Sequence, residues 1–589
     1  MNPARTESSR DAAAPAAPHL PTPAAWPRRL PRELQVPQTS LWFNLEVSAT
    51  RFPDKPAYVF LGRPITFAEL RRQAESLAGW LQALGVGEGA RVIVFMQNCP
   101  QYAAAAYGVF RANAVVVPVN PMNKADEFGH YIRDSQARVA ICTAELAPIV
   151  EAANAALPPA ERLQHILVTR YAEALPPREV LAADLPISPA MLDWLYAEPA
   201  PGTSEPTAEH HRWHDAVDGR HAPGPHTTGP DDLALLPYTS GTTGHPKGCM
   251  LSHRNLMHNS CGAAWLHVTP ETVSLGVVPM FHITGNLYCL HNPIYQGCTV
   301  VLMPRWDREL AATLIARYRV SHWTCIPTMI IDLLGSPNLA RFDLSSLRFL
   351  SGGGAAMPQA VAERLQREFG LTFAEGYGLT ETAAPSHSNP PEHAKLQCLG
   401  IPIFGVDSRI VDPLTLNELP DGEVGEIVTH GPMVFQGYWR HPEATAQAFV
   451  SLPGDASGKR FFRTGDLGRR DEEGYFFITD RLKRMINASG YKVWPAEVEA
   501  MLFRHPAVQE ACVIAASDAY RGETVKAVVV LRHDAQGKVT EQQIVEWAHE
   551  QMAAYKAPRL VEFVDVLPKS GSGKVMWRLL QDRENGRGG

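Results

Sequence analysis

Residues 238–248 read Tyr238-Thr-Ser-Gly-Thr-Thr-Gly-His-Pro-Lys-Gly248, with three glycines, four Ser/Thr hydroxyls and a lysine in eleven residues. The apolar residues of 233–238 and 247–251 predict two short strands around this loop, and Ser252 is placed to cap a helix running through Asn255 and Leu256. A glycine and hydroxyl loop between strands offers many N–H and O–H donors and no negative charge. With Lys247 as a mobile cation, it has what a polyphosphate requires. It is not a Walker A loop, because Pro246 stands where that motif needs its second glycine. A cluster of Gly, Ser and Thr also reads as an exposed surface loop, so the motifs elsewhere decide between the two.

At 589 residues the chain exceeds one core, and two or more domains are expected. Hydrophobic residues make up 45% and charged residues 20%, an ordinary globular balance. The net charge of −7, with Lys and Arg dispersed, speaks against a nucleic-acid partner. Nine cysteines without C-x-x-C spacing suit reduced thiols and a cytoplasmic location. No run of about 18 apolar residues calls for a transmembrane segment, which leaves peripheral membrane contact and a homodimer open.

Eight prolines interrupt residues 1–38, at 3, 15, 18, 21, 23, 27, 31 and 37, and this stretch reads as a disordered tail. Thr66-Phe-Ala-Glu69 is a capping box opening a helix with Leu70, Ala74, Leu77, Leu81 and Leu84 on one face and Gly85 at its end. Strands at 91–96, 115–119 and 138–142 alternate with helices at 101–111 and 126–135, which implies parallel sheets covered on both faces. Residues 197–231 are rich in Pro, Gly and His. They read as a solvated linker, because His210, His211, His214, His221 and His226 have no acidic or cysteine partners completing a ligand set. From 425 onward, closely spaced turns suggest antiparallel structure. A charged break at 480–483 precedes a small α/β pattern. The expected fold is α/β: a tail at 1–38, a large domain of parallel-rich sheets plus a β subdomain at 39–481, and a small mobile α+β domain at 482–589.

Three further stretches carry chemistry. Gly376-Tyr-Gly378 sets a flat aromatic between glycines, a platform for a purine. Beside it, Thr380 is a phosphate donor and Glu381 a hard oxygen ligand for Mg²⁺. Asp466, in Thr464-Gly-Asp466, offers one carboxylate to two ribose hydroxyls. Lys574 ends the glycine-rich Leu567-Pro-Lys-Ser-Gly-Ser-Gly-Lys574, where a mobile cation suits charge on an α-phosphate and a carboxylate.

Taken together, these stretches resemble the AMP-forming adenylating superfamily of acyl-CoA synthetases, luciferases and peptide-synthetase adenylation domains, over roughly residues 41–574. The resemblance implies ATP (released as AMP), Mg²⁺ and coenzyme A. It implies a phosphate loop of Thr239, Ser240, Gly241, Thr242, Thr243, Gly244 and Lys247. Gly352, Gly353 and Gly354 would lie over one face of adenine, and Gly376, Tyr377, Gly378 and Thr380 would form the adenine and α-phosphate segment. Asp466 would bind ribose, Arg481 would reach the nucleotide, Lys574 would be the catalytic lysine and Glu381 the metal ligand. Lys483 would be the pivot of the small domain, and Gly490 and Lys492 would alternate between nucleotide and the CoA arm. His282 would sit near the substrate carboxylate, with Phe281, Ile283, Leu287, Trp323, Cys325 and Met329 at acyl-pocket positions. Glu375 stands where many relatives have glutamine.

The implied reaction is ATP-dependent conversion of a hydrophobic carboxylic acid, a medium- or long-chain fatty acid in the first instance, to its CoA thioester. No Asp or Glu lies between Val273 and Leu302 to pair a substrate ammonium, which argues against amino acids. The alternatives are an aryl acid–CoA ligase and a stand-alone adenylation enzyme loading a carrier protein, with 15 residues following Lys574. A luciferase-like oxidase and a non-catalytic binding protein are more distant rivals.

Overall fold

The computed structural model of the chain describes residues 23–198, 206–239, 246–354, 357–481, 484, 486–488, 491–493, 495–518, 522–569 and 575–586. Arg91–Phe95 is an apolar run, buried at every position after the first. It pairs in parallel with Val115–Pro118 on one side and Val139–Thr143 on the other. A strand without alternation belongs in a sheet covered on both faces. This sheet has seven strands, in the order Leu251–Ser252, Leu233–Leu235, Val115–Pro118, Arg91–Phe95, Val139–Thr143, His165–Thr169, Glu209–Arg212.

A second sheet of nine strands runs from Ile401–Pro402 at one edge to Arg63–Thr66 at the other. Its centre is parallel, from Pro56–Phe60 through Thr299–Leu302, Val273–Gly276, His322–Cys325 and Phe349–Gly352 to Phe373–Leu379. Antiparallel strands close both ends.

Helices fill the space between these sheets. In Phe67–Ala83 the Thr66 side chain accepts from the Glu69 N–H at 3.1 Å, satisfying one of the unpaired donors of the first turn. Leu70, Ala74, Leu77 and Leu81 are fully buried, and Gly85 turns the chain away at φ +80°. A Cβ on Gly108 of the neighbouring helix Pro100–Arg111 would lie 2.8 Å from Leu77 Cδ2, so glycine there sets how closely the two helices approach.

A five-stranded antiparallel sheet follows, built from Asp407–Val411, Gly425–His430, Phe449–Val450, Phe461–Arg470 and Phe476–Arg481. The last sheet centres on the hairpin of Val508–Asp518 and Gly522–Leu531. Ile486, Val498, Leu502 and Ile544 form its own core with the helices Pro495–Leu502 and Glu541–Gln551. The molecule is therefore α/β, with a β subdomain and a small C-terminal α+β unit.

Two expectations need correction. Composition predicts a disordered tail over residues 1–38, of which 1–22 lie outside the described residues, yet Trp26 is buried edge-on against Trp265 (5.0 Å) and Phe404 (5.7 Å), with the Arg32 guanidinium over its ring at 4.0 Å. Apolar burial of one large ring outweighs the local composition. Composition predicts a solvated linker over residues 197–231, yet Glu209–Arg212 adds a strand to the edge of the seven-stranded sheet and the following Trp213 is buried. The Ser76 side chain donates to the Ala216 carbonyl at 2.8 Å and accepts from the His221 N–H at 3.2 Å, tying this stretch to the helix below. The nine cysteines are buried and free. Among the described residues, no helix is long and apolar enough to cross a membrane.

Candidate active site

The decisive loop is closed at its base by two short strands, with Lys247 opposite Thr239 and Gly248 opposite Tyr238. Tyr238 donates its hydroxyl to Asp134 Oδ2 at 2.7 Å, and burial together with that carboxylate pushes the phenol well above its ordinary pKa. The His130 ring donates to the Pro246 carbonyl at 2.8 Å. Beyond the loop, Ser252 caps His253–Cys261 in a reciprocal box with Asn255, as the sequence implied.

Residues 436–439 dock along this strand pair. The Met250 N–H donates to the Gly437 carbonyl at 2.9 Å, and the Trp439 N–H donates to the Gly248 carbonyl at 2.8 Å. The docking brings Tyr438 between two of the expected site residues. Its ring lies 5.6 Å from Lys247 Nζ, and its hydroxyl donates to Glu381 Oε1 at 2.9 Å. Glu381 sits in the single turn Thr380–Thr382, and its carbonyl accepts from the Phe435 N–H at 2.8 Å. Lys247, Thr380 and Glu381 therefore belong to one neighbourhood.

Gly352 and Gly353 run directly over the next strand. A Cβ on Gly352 would lie 1.8 Å from the Cys325 carbonyl oxygen, one on Gly353 2.3 Å from that of Gly376, and one on Gly378 1.6 Å from that of Ala384. Backbone approach this close admits only glycine. Gly354 turns the chain at φ +86°. Tyr377 is buried between Gly376 and Gly378 and donates to Asp466 Oδ2 at 2.6 Å. Asp466 is held in turn: its N–H donates to Thr464 Oγ1 at 3.1 Å, and that hydroxyl donates to the Ile427 carbonyl at 2.6 Å. Gly465 takes φ +69° at the bend. Glu375 accepts from the Gln397 N–H at 2.9 Å, and burial lifts its carboxyl to about 7.

His282 precedes the turn Ile283–Gly285, with Nδ1 accepting from the Thr284 N–H at 3.3 Å. The chain continues as a π-helical stretch, Asn286–His291, a form that often marks functional sites. Asn98 fixes the approach to this turn, donating to the Val278 carbonyl at 3.1 Å and accepting from the Met280 N–H at 2.7 Å. A small cavity of about 30 Å³ borders this stretch at Tyr288 and Cys289 and is also lined by Leu266, Val268, Leu275, Trp323, Phe349 and the polar Ser274, Asn292, His322, Thr324 and Ser351. Of the six residues expected at acyl-pocket positions, Trp323 lines this cavity. Leu287, Ile283 and Cys325 are buried in the adjoining core, with Phe281 and Met329 packed against it.

Sequence reasoning missed Asp134, Asn98 and the role of Tyr438. The last had a signal, an aromatic after Gly437, whose φ of +142° is open to few other residues. Arg481 stands opposite Asp466 in the sheet register and Lys492 opposite Asn487. The side chains of Arg481 and Lys492, and residues Ser240, Gly241, Thr242, Thr243, Gly244, Lys483, Gly490 and Lys574, lie outside the described residues. Lys569 and Val575, which precede and follow residues 570–574, form an antiparallel bridge.

Residues 45–439 match the AMP-binding enzyme family, and residues 497–574 match its C-terminal domain. The chain belongs to the AMP-binding enzyme family. It is similar to a long-chain-fatty-acid–CoA ligase of Bacillus subtilis (strain 168), 35% identical over 95% of this chain and 97% of that one. It is also similar to a feruloyl-CoA synthase of Amycolatopsis sp, 35% identical over 87% and 93%. The solved structure of an anthranilate CoA ligase in complex with anthranoyl-AMP superposes with a TM-score of 0.79 at 26% identity, over 94% and 98%. This AMP-binding enzyme is an AMP-forming acid–CoA ligase that uses ATP. In the ligase, the glycine crossing at 352–378, the Tyr377–Asp466 contact and the Lys247–Tyr438–Glu381 cluster draw on the nine-stranded, five-stranded and two-stranded sheets, and together they make the candidate site.

Proposed function

We propose that the ligase activates a hydrophobic carboxylic acid, in the first instance a medium- or long-chain fatty acid. The observation that carries this reading is that no Asp or Glu lies between Val273 and Leu302, the segment that holds His282, and that the small cavity bordered by Tyr288 and Trp323 has no acidic side chain in its lining either. A buried ammonium would have no carboxylate partner there, and an apolar tail needs none. The long-chain specificity named for the Bacillus relative supports the same choice. An aryl acid is the second reading, favoured by the likeness to a feruloyl-CoA synthase and to an anthranilate CoA ligase.

In the first step a carboxylate oxygen attacks the α-phosphorus of ATP. The new acyl–O–P bond forms as the bond to the bridging oxygen breaks, and pyrophosphate leaves. Both reactants are anionic, so the protein must hold them together and screen their charge. On this reading, Thr239, Ser240, Gly241, Thr242, Thr243, Gly244 and Lys247 cradle the phosphates, and Lys574 and Thr380 meet the α-phosphate. Tyr377 lies along adenine with Gly352, Gly353 and Gly354 opposite, while Asp466 and Arg481 take the ribose. Glu381, a hard carboxylate oxygen oriented by Tyr438, fits Mg²⁺. The ion would supply charge neutralisation on the phosphates.

In the second step the CoA thiolate attacks the acyl carbonyl, and the C–O bond to AMP breaks. Residues 482–589 would turn about Lys483 between steps, replacing Lys574 at the site by Gly490 and Lys492. The experiment is a panel of amino, acetic, medium, long and aromatic acids, read as pyrophosphate exchange and CoA-dependent AMP release. Best activity on a medium- or long-chain acid supports the reading. Best activity on an α-amino acid or acetate defeats it.

A further inference from the structure

We propose that His165, Glu209 and His211 form a transition-metal site, with zinc the natural occupant, that staples the outermost strand to the seven-stranded sheet. The strand Glu209–Arg212 pairs in parallel with His165–Thr169, in the register His165 opposite Glu209 and Leu167 opposite His211. Alternation along a strand places Glu209 and His211 on one face, the face that His165 also occupies. The three side chains converge. His165 Nδ1 lies 3.2 Å from His211 Nε2 and 3.4 Å from Glu209 Oε2, and His211 Nε2 lies 3.9 Å from Glu209 Oε1. Tetrahedral zinc, with bonds of about 2.0–2.1 Å, needs its ligand atoms roughly 3.4 Å apart.

Two imidazoles and a carboxylate suit zinc or its neighbours in the first transition row and not Mg²⁺ or Ca²⁺, which prefer all-oxygen sets. The imidazoles are largely sheltered, with side chains 17% and 15% exposed, and Trp80 stands edge-on to His211 at 4.9 Å. Glu209 is 67% exposed, so solvent can supply the fourth ligand.

The strand needs holding. It is four residues long, with no apolar side chain, and lies at the sheet edge. On its opposite face His210 pairs with Glu151, which also accepts from the Thr207 N–H at 3.1 Å and hydroxyl at 2.6 Å. A metal on the first face would complete a clamp on both sides. The strand stands five places along the sheet from Leu233–Leu235, which leads into the phosphate loop, a distance of about 24 Å at the usual strand spacing. The role is therefore structural and independent of the reaction proposed above.

The test uses full-length, tag-free protein stripped of metal, with Zn²⁺ and Co²⁺ as probes. The expected result is one saturable equivalent of Zn²⁺, a rise in Tm on binding, and visible tetrahedral absorption with Co²⁺. His165→Gln and His211→Gln should each weaken Zn²⁺ affinity by at least about tenfold and abolish the Tm rise, while His210→Gln retains both. Glu209→Gln, at an exposed position, carries the test if a histidine variant fails to fold. Mg²⁺-dependent pyrophosphate exchange should be unchanged in His165→Gln, which separates this site from the nucleotide's metal. Absence of a saturable equivalent on the wild type, or affinity unaltered in the folded ligand variants, overturns the proposal.

Discussion

The hydroxyl of Tyr377 donates to Asp466 Oδ2 at 2.6 Å, joining a strand of the nine-stranded sheet to a strand of the five-stranded one. Both residues are buried, so the bond holds a carboxylate in one orientation without competition from water. Tyr377→Phe keeps the ring and removes the donor. A hydrogen bond to a charged group contributes about 1.5–3 kcal/mol, and AMP affinity should fall by roughly tenfold or more. Calorimetric titration with AMP measures it. Affinity equal to wild type would mean that the pair is structural and does not serve the nucleotide.

Tyr438 and Glu381 form a second coupled pair, at 2.9 Å. If Glu381 holds Mg²⁺, Glu381→Gln should raise the Mg²⁺ concentration for half-maximal activity. Tyr438→Phe, which removes the hydroxyl that donates to that carboxylate, should raise it too. Residues in one network do not add, so the double variant should resemble Glu381→Gln alone. Additive shifts, or a Mg²⁺ dependence that neither variant changes, would remove the pair from the metal's surroundings.

Glu375 predicts a pH dependence of stability. Burial raises its carboxyl from 4.5 to about 7, so between those values the folded state binds a proton that the unfolded state releases. Stability contributed by this group is complete below pH 4.5, declines as pH rises, and levels off above about 7. The whole change is about 3 kcal/mol. Glu375→Gln keeps an acceptor for the Gln397 N–H and removes the titration. Denaturant unfolding across this window should give a flatter pH profile for the variant and higher stability near neutral pH. Parallel profiles for the two proteins would contradict the burial argument.

Lys574 separates the half-reactions. A lysine acting on the α-phosphate matters while that phosphate carries developing charge, so Lys574→Ala should slow adenylation by about 10²-fold or more. Thioester formation from supplied acyl-adenylate should persist. Equal loss of both would show that one arrangement of residues 482–589 serves both steps.

Much of this was legible because the phosphate loop, the glycine pairs and the parallel strands each depend on residues adjacent in sequence. Gly376 and Gly378 declare themselves through composition, and Arg91–Phe95 through an unbroken apolar run. What stayed hidden depends on long-range partners. Tyr438 meets Glu381 across 57 residues, and Trp26 finds Trp265 and Phe404 far along the chain. The strand Glu209–Arg212 has no apolar alternation at all, since an edge strand tolerates polar residues on both faces. His165 completes its cluster from 44 residues before Glu209, so a count of histidines within 197–231 could not find the set.

The cavity beside Trp323 gives the substrate reading its most direct test. Its lining comes from several neighbouring strands and from the π-helical stretch after His282, and at about 30 Å³ it is nearly filled by its own side chains. An acyl chain can enter here only by displacing the lining side chains; each methylene then buried contributes about 0.8 kcal/mol, roughly a fourfold increase in affinity, until the chain meets the Trp323 indole wall. For wild type, kcat/KM should therefore rise with chain length and then fall sharply. Trp323→Leu shortens the wall while keeping an apolar surface, a gentler change than alanine, which in a packed core costs about 3–5 kcal/mol. Its optimum should move to longer acids, with the amino acids still rejected, because no acidic group has been introduced. The measurement is kcat/KM over a homologous series of straight-chain acids, alongside cinnamic-type aromatic acids. An optimum that stays in place would mean that the acyl chain takes another route past His282, and a gain confined to the aromatic acids would favour the aryl reading.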